Sequence, residues 1–108
     1  MKQSFGEYIR HLRTKNELTL TQLGAKLELD SANLSKIENG KRDFDEKRLT
    51  LLAQVFELNL EELKTEFFGD LFAKKLYESS SSTDALFVAE KKVKYLRQIN
   101  SKQESLKL

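Results

Sequence analysis

The fold is decided by residues 19–40, TLTQLGAKLELDSANLSKIENG, which predict two short helices joined by a tight turn. Thr19 and Asp30 are both good N-cap residues, because their side-chain oxygens can accept hydrogen bonds from the unpaired N–H groups of a first helical turn. The turn around Glu28 and Leu29 is only a few residues long, so the two helices must pack at an angle. The face that the first of them buries is formed by Leu20, Leu23, Gly24 and Leu27, which recur at helical spacing.

The helix after Asp30 has an inward side and an outward side. Leu34 and Ile37 are three residues apart and face inward. Gly40 ends the helix together with Asn39, since glycine suits the left-handed conformation found at helix C-termini. The outward side has short side chains and one positive charge, and it consists of Ser31, Ala32, Ser35 and Lys36.

These residues resemble the Xre/Cro family of phage-repressor-like helix-turn-helix DNA-binding domains, over about residues 5–68 of this chain. The resemblance implies an all-α fold: a five-helix phage-repressor-like domain with a C-terminal helical extension. Two positions depart from the family pattern, since Leu20 stands where glutamine is usual and Glu28 stands where the turn favours glycine. The residues that carry the resemblance are Thr19, Leu23, Gly24, Leu27, Leu29, Leu34, Ser35 and the signature Ile37-Glu38-Asn39-Gly40.

The resemblance also implies which residues contact DNA. In the family, the third helix enters the major groove. The family pattern also pairs Arg13, late in the first helix, with Glu38, because an acid that points into a domain needs a partner and arginine offers two parallel donors. Without the resemblance, the outward side of the third helix would fit an ordinary solvated face equally well. The implied base contacts are Ser31, Ala32, Ser35 and Lys36. The implied phosphate contacts are Thr19, Gln22, Asn33, Asn39, Lys41 and Arg42.

The flanking sequence predicts further helices. A stripe of Phe5, Tyr8, Ile9 and Leu12 indicates the first helix. A fourth helix is expected to begin near Asp45, and a fifth to begin after the cap Asn59. Residues 1–68 are therefore the expected helix-turn-helix DNA-binding domain. Residues 69–108 are the expected C-terminal extension for dimerisation or partner binding, with a possible bend at Gly69, a serine-rich break at 79–83 and a last helix from Asp84 to about Asn100.

The fifth helix and its extension carry more apolar surface than five helices need. In one interpretation, the last helix packs back onto this surface within the chain; in the other, two chains meet there. We expect a homodimer, since operators that are read by this fold usually have two-fold symmetry. The expected interface comprises Phe67, Phe68, Leu71, Phe72, Leu76, Val93 and Leu96.

Composition narrows the function classes. The net charge is +2, but residues 1–69 hold 11 Lys+Arg and 12 Asp+Glu, so the attraction to phosphates must be local, around Lys36, Lys41 and Arg42. Lys47 and Arg48 are as compatible with solvent as with phosphate. The chain has no cysteine and one histidine, His11, which gives no basis for a metal site, a cofactor or a catalytic dyad. With no apolar run of membrane-spanning length, we expect a cytoplasmic protein that is not an enzyme.

The function implied is a sequence-specific, double-stranded DNA-binding transcriptional regulator that acts as a homodimer on a palindromic operator. Small regulators of this build resemble the controller proteins of restriction-modification systems. An alternative is an antitoxin-like protein-binding module, which grips a protein partner with its C-terminal helices and binds DNA only to autoregulate.

Overall fold

The structure is a computed structural model that describes residues 3–106, with side chains described for residues 3–102. The regular elements of this part of the chain are all helical, which confirms the predicted all-α class. In order they are α1 (Phe5–Lys15), α2 (Leu20–Leu27), α3 (Ser31–Glu38), a 3₁₀ turn (Glu46–Arg48), α4 (Leu49–Phe56), α5 (Leu60–Glu78) and α6 (Asp84–Leu106).

Three of the helix junctions are built in the same way. A glutamate in the left-handed conformation follows the helix, directly at Glu28 (φ 60°) and Glu57 (φ 53°) and after Asn16 at Glu17 (φ 56°). In each junction the N–H of the following leucine bonds back to the helix, as between Leu29 and the carbonyl of Gly24 at 2.8 Å, which is the Schellman pattern. Each leucine also packs against the core, and this burial offsets the roughly 1–2 kcal/mol that a left-handed non-glycine residue costs.

The residue after each of these leucines caps the next helix. Thr19 Oγ1 accepts from the N–H of Gln22 at 3.0 Å, and Gln22 Oε1 accepts from the N–H of Thr19, which completes a capping box. Asp30 caps α3 through the N–H of Asn33 at 2.7 Å. Asn59 caps α5 in the same way. The tripeptide Glu-Leu-cap, at 17–19, 28–30 and 57–59, therefore ends one helix and begins the next within three residues.

The core lies between the first five helices. Gly6 lets α1 approach the end of α3, since a Cβ at this position would overlap the carbonyl oxygen of Ile37. Gly24 meets the carbonyl of Leu29 in the turn that follows α2, rather than a crossing helix. The buried apolar residues are Phe5, Ile9, Leu23, Leu27, Leu34, Ile37, Phe44, Leu49, Leu52, Ala53, Leu63 and Phe67.

The chain divides into two compact units, residues 1–72 and 73–108. In the first unit, edge-to-face and tilted ring contacts run from Phe5 through Phe67 and Phe68 to Phe72, with centroid separations of 5.3, 5.1 and 5.9 Å. In the second unit, the described side chains of α6 are exposed apart from Ile99.

Three boundaries differ from the sequence expectation. Asp45 caps a 3₁₀ turn, and α4 begins only at Leu49. Helix α5 continues through Gly69 without interruption, because glycine lowers helical propensity without removing a backbone donor. Helix α6 extends to Leu106, six residues beyond the predicted end at Asn100.

Candidate nucleic-acid interface

Helix α3 presents its polar residues to solvent and buries its apolar ones. Leu34 and Ile37 are buried in the core, together with the charged residue Glu38. Three of the four residues predicted to contact bases are exposed, namely Ser31, Ala32 and Lys36, and the fourth, Ser35, is half-buried. Since the helix advances about 100° per residue, these four side chains occupy one continuous side of α3.

The buried end of α3 is fixed to α1 by an ion pair. Arg13 Nε lies 2.7 Å from Glu38 Oε2, and Arg13 Nη2 lies 2.9 Å from Glu38 Oε1, so the two groups meet through parallel hydrogen bonds. The Glu38 side chain is only 2% exposed. Its hydrogen bond raises the pKa of the Arg13 guanidinium above the usual range, against the opposing effect of burial.

Arg10 adds a second contact that the sequence did not reveal. Its Nε donates to Glu38 Oε1 at 3.3 Å, and its Nη2 donates to Asn39 Oδ1. Asn39 Nδ2 in turn donates to the carbonyl of Ser35 at 2.9 Å. A chain of hydrogen bonds thus joins α1 to the predicted base-contacting side of α3.

The residues predicted to contact phosphates are distributed around both helices of the motif. Thr19 and Gln22 are exposed at the start of α2. Lys41 and Arg42 are exposed just beyond α3, where the N–H of Lys41 donates to the carbonyl of Lys36 at 2.9 Å and so fixes the loop to the helix end. Gly40, with φ 74°, provides the left-handed turn that this bond requires.

Besides Thr19 and Gln22, which form the capping box of α2, two more of the predicted phosphate ligands have side-chain contacts within the domain. Asn33 Nδ2 donates to Asp30 Oδ2 at 2.9 Å. Asn39 uses both its amide nitrogen and its carbonyl oxygen in contacts to Ser35 and Arg10. These side chains therefore hold the ends of α3 in place, whatever else they bind.

Of the two cations that the sequence left undecided, one has a definite role in the fold. Lys47 is exposed, whereas Arg48 is half-buried and binds Asp45 Oδ2 at 2.7 Å and the carbonyl of Leu27 at 3.0 Å. Sequence pattern could not show this contact, because the partners in α2 lie about twenty positions earlier in the chain.

A separate groove of about 350 Å³ lies beside Tyr8 and the start of α5. Burial raises the pKa of the Tyr8 hydroxyl, and the charges of Glu66 and Glu62 raise it further. Within the described residues, no cluster of histidine, cysteine, aspartate and glutamate could hold a metal ion. No helix in the described part of the chain has the length and apolar character of a membrane span.

Comparison with protein families decides what this arrangement belongs to. The family model described as helix-turn-helix matches residues 9–63, which is half of the chain and includes α2, the turn and α3. The chain belongs to the helix-turn-helix family. This confirms the Xre/Cro-type resemblance read from the sequence, and this family of DNA-binding transcriptional regulators is non-enzymatic.

Two curated relatives align with part of the chain. The HTH-type transcriptional repressor RghR of Bacillus subtilis (strain 168) is 48% identical over 40 residues, which are 37% of this chain and 30% of that protein. The uncharacterized HTH-type transcriptional regulator RghRB of the same strain is 50% identical over 38 residues, 35% of this chain and 27% of that protein. The chain thus spans less than a third of the length of either relative. No solved structure matches the chain significantly.

The predicted dimer residues occupy different environments. Phe67 is buried in the core of the first unit, and Phe68 is half-buried against it. Phe72 is 52% exposed and Leu71 is 37% exposed. In the second unit, Leu76 is half-buried, and Val93 and Leu96 are exposed. Phe67 can therefore support an interface only through its contact with Phe68.

Proposed function

We propose that the chain is a sequence-specific double-stranded DNA-binding transcriptional regulator whose α3 lies in the major groove. The observation that carries the proposal is the orientation of α3. An ion pair with Arg13 anchors the helix to the domain at the buried Glu38, while Ser31, Ala32 and Lys36 face solvent. A major groove about 12 Å wide admits one helix of this kind. Because the helix cannot rotate freely, its outward side chains would meet fixed base positions.

The base-contacting roles follow from the chemistry of each side chain. Lys36 can donate to guanine O6 or N7, and the hydroxyls of Ser31 and Ser35 can bond to either donors or acceptors on base edges. Ala32 offers a methyl group for contact with the thymine methyl. The side contains one charge and three small groups, which favours close approach of the α3 backbone to the bases.

The phosphate contacts would fix the register on the duplex. Lys41 and Arg42 supply the charge, while Thr19 and Gln22 lie at the N-terminus of α2, where helical N–H groups attract anions. Gln22 uses Oε1 in the capping box, so its amide N–H group is the donor it would present to a phosphate. Asn33 and Asn39 remain in the proposed set as side chains that flank α3.

The direction of regulation is proposed as repression. The relative RghR is named a transcriptional repressor, and its similarity covers only 40 residues. A domain that occupies the major groove of an operator can block access by steric exclusion alone.

We further propose that the regulator is a homodimer on a palindromic operator. One helix-turn-helix reads only a half-site, and two copies related by a two-fold axis read both halves. Exposed apolar residues in both units provide surface for a second copy, including Phe72 at 52%, Val93 at 42% and Leu96 at 62%. Leaving such a surface in water is unfavourable, which supports a partner on it.

Selection of bound duplexes from a random DNA pool tests the DNA proposal. A palindromic consensus with two half-sites is expected; an enriched sequence without symmetry would contradict the dimeric arrangement alone, and no enrichment would contradict specific DNA binding. Substitution of Lys36 or Lys41 by alanine then tests the individual contacts. Lys64→Ala is the matched control for these two variants, since Lys64 lies in α5 and pairs with Glu61.

Sedimentation equilibrium of the full chain tests the dimer. A species of twice the 12.5 kDa chain mass is expected. A monomer that aggregates through its exposed aromatic residues would instead favour the antitoxin-like module, which needs a different protein as its partner.

A further inference from the structure

The side chain of Arg48, which lies outside both helices, stabilises the junction between α2 and α3 through hydrogen bonds. Arg48 Nε donates to the carbonyl of Leu27 at 3.0 Å, and Arg48 Nη2 donates to the carbonyl of Glu28 at 3.3 Å. Its Nη1 donates to Asp45 Oδ2 at 2.7 Å. One guanidinium therefore contacts the last residue of α2, the left-handed residue of the turn and the cap of the 3₁₀ turn.

These carbonyls are the ones that the junction leaves available. The last four carbonyls of a helix have no partner within it. The N–H groups of Glu28 and Leu29 satisfy the carbonyls of Ala25 and Gly24, at 3.4 and 2.8 Å. Arg48 donates to the carbonyls of Leu27 and Glu28, which lie further along the junction, and its positive charge also suits the negative end of the α2 dipole.

Arginine is suited to this position by its shape as well as its charge. The planar guanidinium directs several donors in fixed directions, so it can contact two successive carbonyls and a carboxylate at once, which the single ammonium group of lysine cannot do in the same geometry. The carboxylate of Asp45 holds the guanidinium from the other side. The turn and the segment after α3 are thereby fixed to each other.

We propose that Arg48 is a positioning residue for DNA recognition: by fixing the α2–α3 turn, it sets the angle at which α3 presents Ser31 and Lys36. This inference rests on the proposed DNA-binding function. The three hydrogen bonds that Arg48 makes with Leu27, Glu28 and Asp45 engage its guanidinium within the domain, so Arg48 acts on sequence discrimination and not as a phosphate ligand.

Arg48→Met tests the proposal, and Lys47→Met is its matched control, because both remove one positive charge at neighbouring positions. Each variant is assayed against the selected operator and its single-base-pair variants over a range of salt concentrations. Single base-pair changes commonly reduce affinity by about 5- to 150-fold, and we expect Arg48→Met to compress these ratios to about a third or less. The slope of log K against log salt should stay at the wild-type value for Arg48→Met.

Two outcomes of this assay would overturn the proposal. Unchanged ratios with a salt slope shallower by about one would make Arg48 a phosphate ligand. Unchanged ratios and slope with a lower melting temperature would make its role purely structural. Arg48→Lys is the second variant if Arg48→Met does not fold: it keeps the charge and removes the fork, and it should show the same compression.

Hydrogen exchange gives a readout without DNA. The amide of Leu29, bonded to Gly24, and the amide of Leu34, bonded to Asp30, report on the turn and on the start of α3. Their protection should fall by about tenfold in Arg48→Met and stay unchanged in Lys47→Met, since local opening governs such exchange. Equal protection in the two variants would refute the claim that Arg48 stabilises the turn between α2 and α3. If the wild-type chain selects no duplex, the proposed function fails, while this exchange result still decides whether Arg48 holds the turn.

Discussion

Replacing Arg13 by alanine would leave a buried acid without its main partner. Arg13 makes hydrogen bonds of 2.7 and 2.9 Å to Glu38, whose side chain is 2% exposed. It also donates to the carbonyl of Leu18 at 3.0 Å, in the junction between α1 and α2. After the substitution, Glu38 would keep only Arg10, at 3.3 Å and on a side chain that is 43% exposed.

The magnitude follows from what remains around Glu38. Removing one partner of a buried ion pair costs about 3–5 kcal/mol in the free energy of unfolding. Arg10 keeps part of the compensation, so we expect a loss at the lower end, about 3 kcal/mol. For a domain of this size, each kcal/mol lowers the melting temperature by about 4–8 °C, so the expected fall is roughly 12–24 °C.

Urea unfolding followed by circular dichroism measures this loss, and Arg10→Ala is the control. Because the Arg10 side chain is 43% exposed and lies 3.3 Å from Glu38, its removal should cost about 1 kcal/mol or less. The double variant Arg13→Ala with Glu38→Gln should recover part of the loss, since it no longer strands a charge. A cost for Arg13→Ala below about 1 kcal/mol, or equal to that of Arg10→Ala, would refute this account of the pair.

The other predictions concern packing, DNA contacts and titration. Gly6→Ala should destabilise the domain by about 1–3 kcal/mol in urea unfolding, since backbone atoms of α3 cannot yield to the new methyl group. The control Gly69→Ala has no atom within 4 Å of the added Cβ and should stabilise α5 by about 0.5–1 kcal/mol. Equal effects of the two substitutions would contradict the close approach of α1 to α3. Lys36→Ala should relax preference at one base-pair position, and Lys41→Ala should weaken all duplexes alike and reduce the salt slope by about one. An unchanged ranking of operator variants for Lys36→Ala would exclude the base contact. The pKa of Tyr8 should lie above its ordinary value of 10.0, so stability that depends on its neutral hydroxyl is intact below pH 10.0 and is lost as the pH rises through the folded pKa. Ultraviolet titration of a variant with Tyr77→Phe and Tyr95→Phe, in which Tyr8 is the one tyrosine left, checks this, and a midpoint at or below 10.0 would contradict it.

The sequence predicted local features well, because each is decided within one helical turn. The caps Thr19, Asp30 and Asn59 act on N–H groups three residues away, and the structure places all three as N-caps. The buried faces of α2 and α3 follow from apolar spacing in the same way. The family match over residues 9–63 then confirmed the motif.

Long-range contacts were not predictable, because their partners lie far apart in sequence. Nothing in the pattern around Arg48 points to the carbonyl of Leu27, and nothing in α1 distinguishes Arg10 as a partner of Asn39. Gly6 was likewise missed, since its role depends on where the backbone of α3 passes. A local signal in the sequence is the tripeptide Glu-Leu-cap, which occurs three times and marks the left-handed junctions at Glu17, Glu28 and Glu57.

Some cations of this domain bind within the fold and others are available to DNA, and this difference determines how the domain can select a DNA sequence. Residues 1–69 contain 11 Lys+Arg, yet Arg13 and Arg48 direct their donors into the fold, and Arg10 binds Glu38 and Asn39. The cations proposed at phosphates are then Lys41 and Arg42, while Lys36 is proposed at a base, so at about 0.9 per neutralised phosphate the salt slope should be near −2 per protomer. Twelve acids in the same residues oppose any wider attraction. Weak general affinity leaves sequence discrimination to the geometry of α3, which Arg13 and Arg48 fix. A measured slope steeper than about −5 per protomer would mean that cations outside the proposed set reach phosphates, and the proposed division of roles would be wrong.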